Sequence, residues 1–295
     1  MDPRLDAAWA IRGGGALDYP PGTRLRHGRY LVAERHARGG MSVVYRVERR
    51  DGWRRRSVAA LKVAMPHEPS DSAHTEAERR LAHEAILLRL VDHWRVPRAP
   101  VLFAERDRLH MAMEFVPGVT LEQMLASGDA SHTPPWPEAR VRALGRALAD
   151  LLHGLHSGAT PILVRDLKPG NLIVTPDGHI KLVDLGIACR LRRGQRVPPT
   201  ERWLGTHGYA APEQWQGDGA EDEREDLYAL GAVLYRVATV WNPARASDCF
   251  TFAPARQLNP ALSPDLERLL AALLQRDPAR RPANAGMVAA ALAHA

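Results

Sequence analysis

The stretch that decides the fold begins Val164-Arg165-Asp166-Leu167-Lys168-Pro169-Gly170-Asn171. It continues through Leu172-Ile173-Val174, turns at Thr175-Pro176-Asp177-Gly178, and rises again over Ile180 to Val183 to end at Asp184. A loop therefore feeds a hairpin of two short apolar strands. The turn carries Pro at its second position and Gly at its fourth, as turn chemistry prefers. Folding the hairpin about residues 177–178 predicts that Asn171 lies roughly opposite Asp184, and facing residues on paired strands lie about 5 Å apart. An amide oxygen and a carboxylate at one hairpin mouth suit a hard, oxygen-seeking cation. Asp166, five residues before Asn171, overhangs the same point as an anionic acceptor. Singly, each of these residues is as readily a turn or cap residue. Together, with Lys168 two residues after Asp166, they describe a site.

The rest of the chain sets limits on what that site can belong to. Its 295 residues are 45% apolar and 25% charged, which excludes disordered, collagen-like and coiled-coil classes. No window reaches the roughly 18 uninterrupted apolar residues of a membrane helix. Met1 to Tyr19 lacks the apolar core of a secretory signal. Two cysteines, Cys189 and Cys249, cannot build a disulfide framework and suit a reducing compartment. The expectation is a cytoplasmic enzyme with no membrane contact. Forty basic against 34 acidic residues give a net charge of +6. No basic stripe interleaves with aromatics, so nucleic acid is not an expected partner. Only three of the 40 cations are lysines: Lys62, Lys168 and Lys181. A compact ammonium and a planar guanidinium do different work, so these positions stand out in an Arg-writing chain.

Working outward from the hairpin, residues 1–25 are Gly- and Pro-rich without periodicity and read as a flexible extension. Strands are predicted at Tyr30–Val32, Val43–Val47 and Val58–Val63. Leu81, Ala85 and Leu88 repeat at i, i+4 and i+7, the stripe of an amphipathic helix between Glu76 and Val91. Leu102 to Phe115 reads as two strands around Glu105-Arg106-Asp107. Beyond Pro117-Gly118 the texture turns helical, at Pro137–His156, Asp226–Val240, Pro264–Leu274 and Ala283–Ala295. Two lobes joined near residues 114–118 follow, the first mainly β with one helix.

On these motifs the chain resembles the bacterial branch of the eukaryotic-type serine/threonine protein kinases, from about Gly28 to its C-terminus. The resemblance implies an α+β bilobal fold. A flexible extension (1–25) precedes a small, mainly β, ATP-binding N-lobe (26–117) and a larger, mainly α C-lobe (118–295). Asp166 to Asn171 resembles the catalytic loop, whose Asp accepts the substrate hydroxyl proton and whose Asn holds a second Mg²⁺. Asp184-Leu185-Gly186 resembles the D-F-G element with its metal-binding Asp. Ala211-Pro212-Glu213 resembles A-P-E and ends 29 residues after Asp184. Ala60-Leu61-Lys62 resembles the strand whose Lys pairs the α/β-phosphates. Its carboxylate partner is Glu84, with Glu76 and Glu78 as alternatives. Asp226 in Asp226-Leu227-Tyr228-Ala229-Leu230-Gly231 resembles the anchor of the catalytic loop, and Arg281 the partner of Glu213.

The implied activity is phosphoryl transfer from ATP to Ser/Thr hydroxyls of protein substrates. Asp184 and Asn171 would clamp Mg²⁺, with Mn²⁺ as an alternative ion, and Lys168 would balance charge on the γ-phosphoryl. Adenine is expected against Ala60 and Val44, bonding the backbone at Glu114 and Val116, with Met113 behind. Lys168 with Gly205-Thr206 resembles the Ser/Thr subclass. Thr200 is the only hydroxyl between Gly186 and Gly205 and lies among arginines. A phosphate on it would pair with Arg165. The thirteen histidines show no metal spacing and are expected at the surface or in caps. With no sensor or anchor after the last helix, control is expected from a regulatory protein, self-association, the extension or autophosphorylation.

Two departures from the family pattern matter. The Gly-rich loop reads Ala37-Arg38-Gly39-Gly40-Met41-Ser42-Val43-Val44, with Ala and Ser at its first and third glycine positions. Neither takes φ > 0 cheaply, so weakened nucleotide binding is expected. Val164 and Leu185 replace a His and a Phe that pack together in the family, and both keep apolar surface. The rival readings are a scaffold that keeps the fold without turnover, a small-molecule phosphotransferase, and a nucleic-acid binder. Intact Lys62, Asp166, Asn171 and Asp184 oppose the first, and the segment ending in Ala211-Pro212-Glu213 opposes the second.

Overall fold

Six strands assemble from the first part of the chain: β1 (Arg24–Leu25), β2 (Tyr30–Arg38), β3 (Ser42–Asp51), β4 (Arg55–Ala64), β5 (Val101–Glu105) and β6 (Arg108–Glu114). They form one antiparallel sheet in the order β1-β2-β3-β4-β6-β5. The computed structural model describes residues 18–51, 55–65, 70–98, 100–126, 135–193, 204–216 and 221–293. Alternate residues Tyr30 and Val32 on β2, and Val43, Tyr45 and Val47 on β3, are buried on one face of the sheet. Arg106 and Asp107 take φ of 51° and 56° and connect β5 to β6 as a two-residue turn. Positive φ at both positions matches the right-handed twist of the flanking strands. Helix α1 (Asp71–Leu90) buries Leu81, Ala85 and Leu88, the predicted stripe.

The extension expected at 1–25 is ordered from Asp18 onward. Arg24 and Leu25 pair with Leu31 and Tyr30 as β1. Tyr19 is buried, its hydroxyl 2.9 Å from His110 Nε2, and its N–H donates to Tyr45 Oη at 3.1 Å. The rings of Tyr30, Phe103, His110 and Tyr19 stack in series with centroids 5.5, 4.9 and 5.7 Å apart. Buried aromatic surface of this kind outweighs the entropy of ordering a few Gly- and Pro-rich residues. Residues 1–17 lie outside the described residues.

The remaining elements are β7 (Val119–Thr120), α2 (Leu121–Ala126), α3 (Glu138–Ser157), β8 (Ile162–Leu163), β9 (Leu172–Val174), β10 (Ile180–Leu182) and β11 (Cys189–Arg190). They are followed by α4 (Pro212–Gln216), α5 (Arg224–Thr239), α6 (Ala255–Leu258), α7 (Pro264–Leu273) and α8 (Ala285–Ala293). Every residue of α5 from Glu225 to Thr239 is buried, so this helix is the axis of the core and not a surface helix with one wet face. Helix α3 approaches it closely at Gly145, where a Cβ would come within 2.9 Å of Leu234 and 2.8 Å of Leu292 on α8.

The hairpin that opens the sequence reading forms, with β9 antiparallel to β10 and Leu172 paired to Leu182. Its register differs by one residue from the expected one. Val183 donates its N–H to the Asn171 carbonyl at 3.0 Å, so Asn171 faces Val183 and Asp184 lies one step beyond. The cause is the connection Thr175–His179, which is closed by the Thr175 N–H on the His179 carbonyl at 2.9 Å. Strand β7, which the hydropathy pattern did not reveal, pairs with β9.

By its contacts the chain divides into two units. One comprises the chain up to Arg89 with Pro97–Val116, and the other Leu90–Val96 with the chain from Pro117 onward. The excursion at Leu90–Val96, expected in the first lobe, groups with the second. Arg95 accepts the Leu182 N–H at its carbonyl (2.9 Å) and donates its guanidinium to the Ile180 carbonyl (3.2 Å). Among the described residues, no helix is long and apolar enough to cross a membrane.

Candidate active site

In the first unit, β4 carries Lys62 opposite Val44 of β3 and Met111 of β6. Its ammonium donates to Glu84 Oε2 of α1 at 2.7 Å, and both side chains are at least nine-tenths buried. Of the three acids weighed for this lysine, Glu76 instead pairs with Arg79 and Arg80. Burial raises the carboxyl of Glu78, which also accepts a backbone hydrogen bond from Leu109. A desolvated pair this close, with both ends held by regular elements, has little freedom to be elsewhere.

Ala60 pairs with Arg46 and Met113, and Ala59 with Glu114. Met113 and Val116 are buried. The Glu114 N–H donates to the Arg98 carbonyl (3.3 Å), and its carboxylate accepts the Arg98 N–H (3.1 Å). Ala37 and Arg38 belong to β2 and pair with Val44 and Val43, and the turn closes through the Gly39 N–H on the Ser42 carbonyl at 2.8 Å. No residue from Ala37 to Ser42 has positive φ. The Ala and Ser at the two altered glycine positions are therefore unstrained and carry no conformational penalty against nucleotide binding, contrary to the expected weakening.

In the second unit, Lys168, Asn171 and Thr206 cluster around Asp166. Lys168 Nζ lies 2.7 Å from Asp166 Oδ2 and donates to Thr206 Oγ1 at 2.7 Å, while Thr206 Oγ1 donates to Asp166 Oδ1 at 2.6 Å. Asn171 Nδ2 donates to the Asp166 carbonyl (2.9 Å) and to Oδ2 (3.0 Å). Asp166 is thus held by an ammonium, a hydroxyl and an amide, charge-assisted bonds of the stronger kind. Thr206 reaches it because Gly205 takes φ +139°, where an added Cβ would sit 2.6 Å from Ala210 Cβ. A glycine is required there, so this turn is specified and not incidental.

The loop itself is fixed from beneath. Asp226, fully buried at the start of α5, accepts the Val164 N–H and the Arg165 N–H, both at 2.8 Å, and lies 2.8 Å from His156 Nε2. Arg165 is buried with φ +64°, and its carbonyl accepts from Gln214 Nε2 at 3.1 Å. Val164 and Leu185 are buried. Glu213 meets Arg281 in a two-pronged pair of 2.5 and 2.8 Å. Arg281 also donates to the carbonyls of Gln275, Arg224 and Arg276.

His156 and Gln214 were not singled out from the sequence. No spacing rule links residues 70 and 49 positions from the atoms they bond. His156 and His110 are buried, against the expectation that histidines lie at the surface or in caps. Thr200 lies outside the described residues.

For a divalent cation the donor set fits. Asp184 is oriented by the Gly186 N–H at 2.9 Å, and the Asn171 amide nitrogen is committed to Asp166, which turns its oxygen end the other way. A carboxylate and an amide oxygen are the hard donors that Mg²⁺ accepts, alongside phosphate oxygens. Among the described residues, no group of three or more His, Cys, Asp or Glu side chains forms an all-protein metal cage.

The protein kinase domain model matches residues 31–294, and the chain belongs to that family. The family uses ATP and a divalent metal ion and acts on protein substrates. The chain is 34% identical over 285 residues to the DNA damage-responsive serine/threonine-protein kinase RqkA of Deinococcus radiodurans, across 93% of this chain and 40% of RqkA. It is 28% identical to the serine/threonine-protein kinase PrkC of Bacillus subtilis, across 86% and 38%. It therefore spans about two fifths of the length of these relatives. In structure it is similar to the PknI kinase domain of Mycobacterium tuberculosis, with TM-score 0.69, 23% identity, and 94% and 98% of the two chains covered. It is also similar to PpkA-294 in its apo form, with TM-score 0.73, 21% identity, and 94% and 100% covered. These likenesses establish the protein kinase fold, with a strand-rich N-terminal region and a helical C-terminal region.

Proposed function

We propose that this chain transfers the γ-phosphoryl group of ATP to Ser and Thr hydroxyls of protein substrates. The observation that supports this most directly is the closed set of contacts among Asp166, Lys168, Asn171 and Thr206. It presents one carboxylate, held on three sides, to an incoming hydroxyl. Asp166 orients that hydroxyl and takes its proton as transfer proceeds. Lys168 offers a compact ammonium to the charge developing on the transferred group, without the bidentate geometry a guanidinium imposes. Lys62, braced by Glu84, orients the α/β-phosphates. The backbone of Ala37, Gly39, Gly40 and Ser42 lies along the phosphates. Ala60 and Val44 face adenine, with Glu114 and Val116 offering backbone groups and Met113 behind. Asp184 and Asn171 would hold Mg²⁺, or Mn²⁺ in its place, which when bound neutralises phosphate charge. Glu213, Arg281, Asp226 and Arg165 keep the catalytic loop and the end of the activation segment in place.

Phosphoryl transfer asks little covalent work of the protein, so positioning and charge stabilisation supply the rate. The test is transfer of label from γ-labelled ATP to a generic Ser/Thr protein acceptor, with and without Mg²⁺, for the natural protein and Asp166→Asn. Phosphoserine or phosphothreonine that depends on Asp166 supports the proposal. A lack of transfer at millimolar nucleotide under all these conditions overturns it.

A further inference from the structure

The sequence leads one to expect that a phosphate on Thr200, paired with Arg165, would help to order the segment that follows Asp184-Leu185-Gly186. The structure supplies a counter-charge from within the chain. Leu191 donates its N–H to the Pro161 carbonyl at 2.8 Å, continuing the pairing of β11 with β8. Directly after it, Arg192 is bound twice by Glu221. Its N–H donates to Oε2 at 2.6 Å and its guanidinium to Oε1 at 3.0 Å. The Glu221 side chain has no exposed surface, whereas that of Arg192 is 44% exposed. Arg193 donates to Glu223 at 2.9 Å and to the His156 carbonyl at 3.0 Å. His156 is the residue that meets Asp226, and Asp226 holds the backbone of Val164 and Arg165. One run of contacts thus joins the head of the activation segment, the acidic stretch ahead of α5 and the catalytic loop.

A phosphate on an activation segment works by meeting guanidinium groups with several acceptor oxygens. Three carboxylate oxygens of Glu221 and Glu223 meet two guanidinium groups and one main-chain N–H. We infer that Glu221 and Glu223 are positioning residues for phosphoryl transfer, which anchor residues 191–193 at the head of the activation segment by fixed charge and without a phosphate. The inference rests on the kinase reading above and names positioning residues of that same site.

The experiment uses the full chain, as purified and after treatment with a broad-specificity phosphatase, with dephosphorylation verified by mass spectrometry. Two readouts are taken: hydrogen exchange of the peptide containing residues 189–193, and kcat and KM for ATP on a generic Ser/Thr acceptor. The treated and untreated natural proteins are expected to agree within about threefold in the exchange of residues 191–193. Glu221→Gln, which keeps shape and one acceptor, is expected to speed exchange at residues 191–193 by about tenfold while exchange in α5 stays unchanged. It is also expected to lower kcat by about tenfold with KM for ATP within about twofold. Arg192→Ala approaches the same contact from its exposed end and guards against a Glu221 variant that fails to fold. The double variant should cost no more than the worse single one, the mark of two residues acting through one contact.

Exchange at residues 191–193 that speeds about tenfold on dephosphorylation overturns the inference in favour of a phosphate anchor. Unchanged exchange and kcat in both single variants overturns it as well. Were the natural protein to transfer no phosphate in any form, the kinase reading would fail. The exchange of residues 189–193, compared between treated and untreated protein and across the variants, would still decide what anchors the segment.

Discussion

Asp226 accepts the backbone N–H of Arg165 at 2.8 Å, and that bond holds a non-glycine residue at φ +64°. A left-handed backbone at such a residue costs of order 1–3 kcal/mol and persists only where the surroundings over-determine it. Here the second oxygen of Asp226 takes the Val164 N–H and meets His156, and Gln214 takes the Arg165 carbonyl. The residue after Arg165 is Asp166, so the conformation of Arg165 decides where the carboxylate that we propose as the proton acceptor stands.

Asp226→Asn leaves one acceptor oxygen for groups that now share two. We expect a loss of about 2 kcal/mol of stability, the cost of a buried donor left without its partner. The turnover number should fall at least about tenfold through misplacement of Asp166, with KM for ATP little changed. Denaturant unfolding and steady-state kinetics check both. A variant with natural stability and rate would show that the loop holds its shape without this carboxylate.

Lys62 and Glu84 separate stability from activity. Removing the ammonium in Lys62→Ala leaves Glu84 buried without its counter-charge, and breaking a buried pair from one side typically costs about 3–5 kcal/mol. The double variant Lys62→Met with Glu84→Leu is expected to recover most of that stability, because an apolar pair of similar volume needs no desolvation. Activity should stay absent in both. Transfer by the double variant would remove Lys62 from the phosphate-binding role.

Thr206 offers one hydroxyl that accepts from Lys168 and donates to Asp166. Thr206→Ser keeps that hydroxyl and should retain activity within about threefold. Thr206→Val keeps the shape and loses the hydroxyl, and should lower kcat by about 10- to 100-fold with KM for ATP unchanged. Equal rates for the two variants would make the hydroxyl irrelevant.

Two buried groups set opposite limbs of a stability–pH curve. Burial pushes the His110 imidazole down to about 4 from 6.5. The folded protein then binds fewer protons than the unfolded chain, so stability is full above pH 6.5 and falls as pH drops toward 4, by up to about 3 kcal/mol. Burial pushes the Glu225 carboxyl up to about 8 from 4.5, against the pull of Arg165 and with Glu213, Asp226 and Asp222 adding to the rise. Its stabilisation is full below pH 4.5 and is lost as pH rises through 8, by up to roughly 5 kcal/mol. His110→Gln should flatten the acid limb and Glu225→Gln the alkaline one, read by chemical unfolding between pH 4 and 9. Parallel curves for all three proteins would contradict both assignments.

Much of this was legible before any coordinate. The meeting of Lys168 and Asn171 with Asp166, and the place of Asp184 beyond the hairpin, were legible because loops and hairpins are local. Residues two to eighteen positions apart can be brought together by a turn whose chemistry is written in Pro176 and Gly178. The stripe of α1 and the strands of the sheet were legible for the same reason, since their periods of 3.6 and 2 need no distant information. The register of β9 on β10 was misplaced by one residue, because the connection at 175–179 is closed by a bond between its own ends that no hydropathy pattern records. The ordered start at Asp18 was missed because its cause is a stack of rings from Tyr19, Tyr30, Phe103 and His110, which no local window contains.

What the sequence by itself determined is the set of chemical groups and their local presentation: one lysine strand, one acid beside one lysine, one amide and one acid at the ends of a hairpin. What only the tertiary structure decided is which distant charges satisfy one another: Glu84 and not Glu76 for Lys62, Thr206 for Asp166, His156 for Asp226, and Glu221 and Glu223 for Arg192 and Arg193. The physical reason is that a buried charge accepts whichever partner the packed backbone delivers within about 3 Å, and that delivery is a property of the folded core of each unit and not of any spacing along the chain.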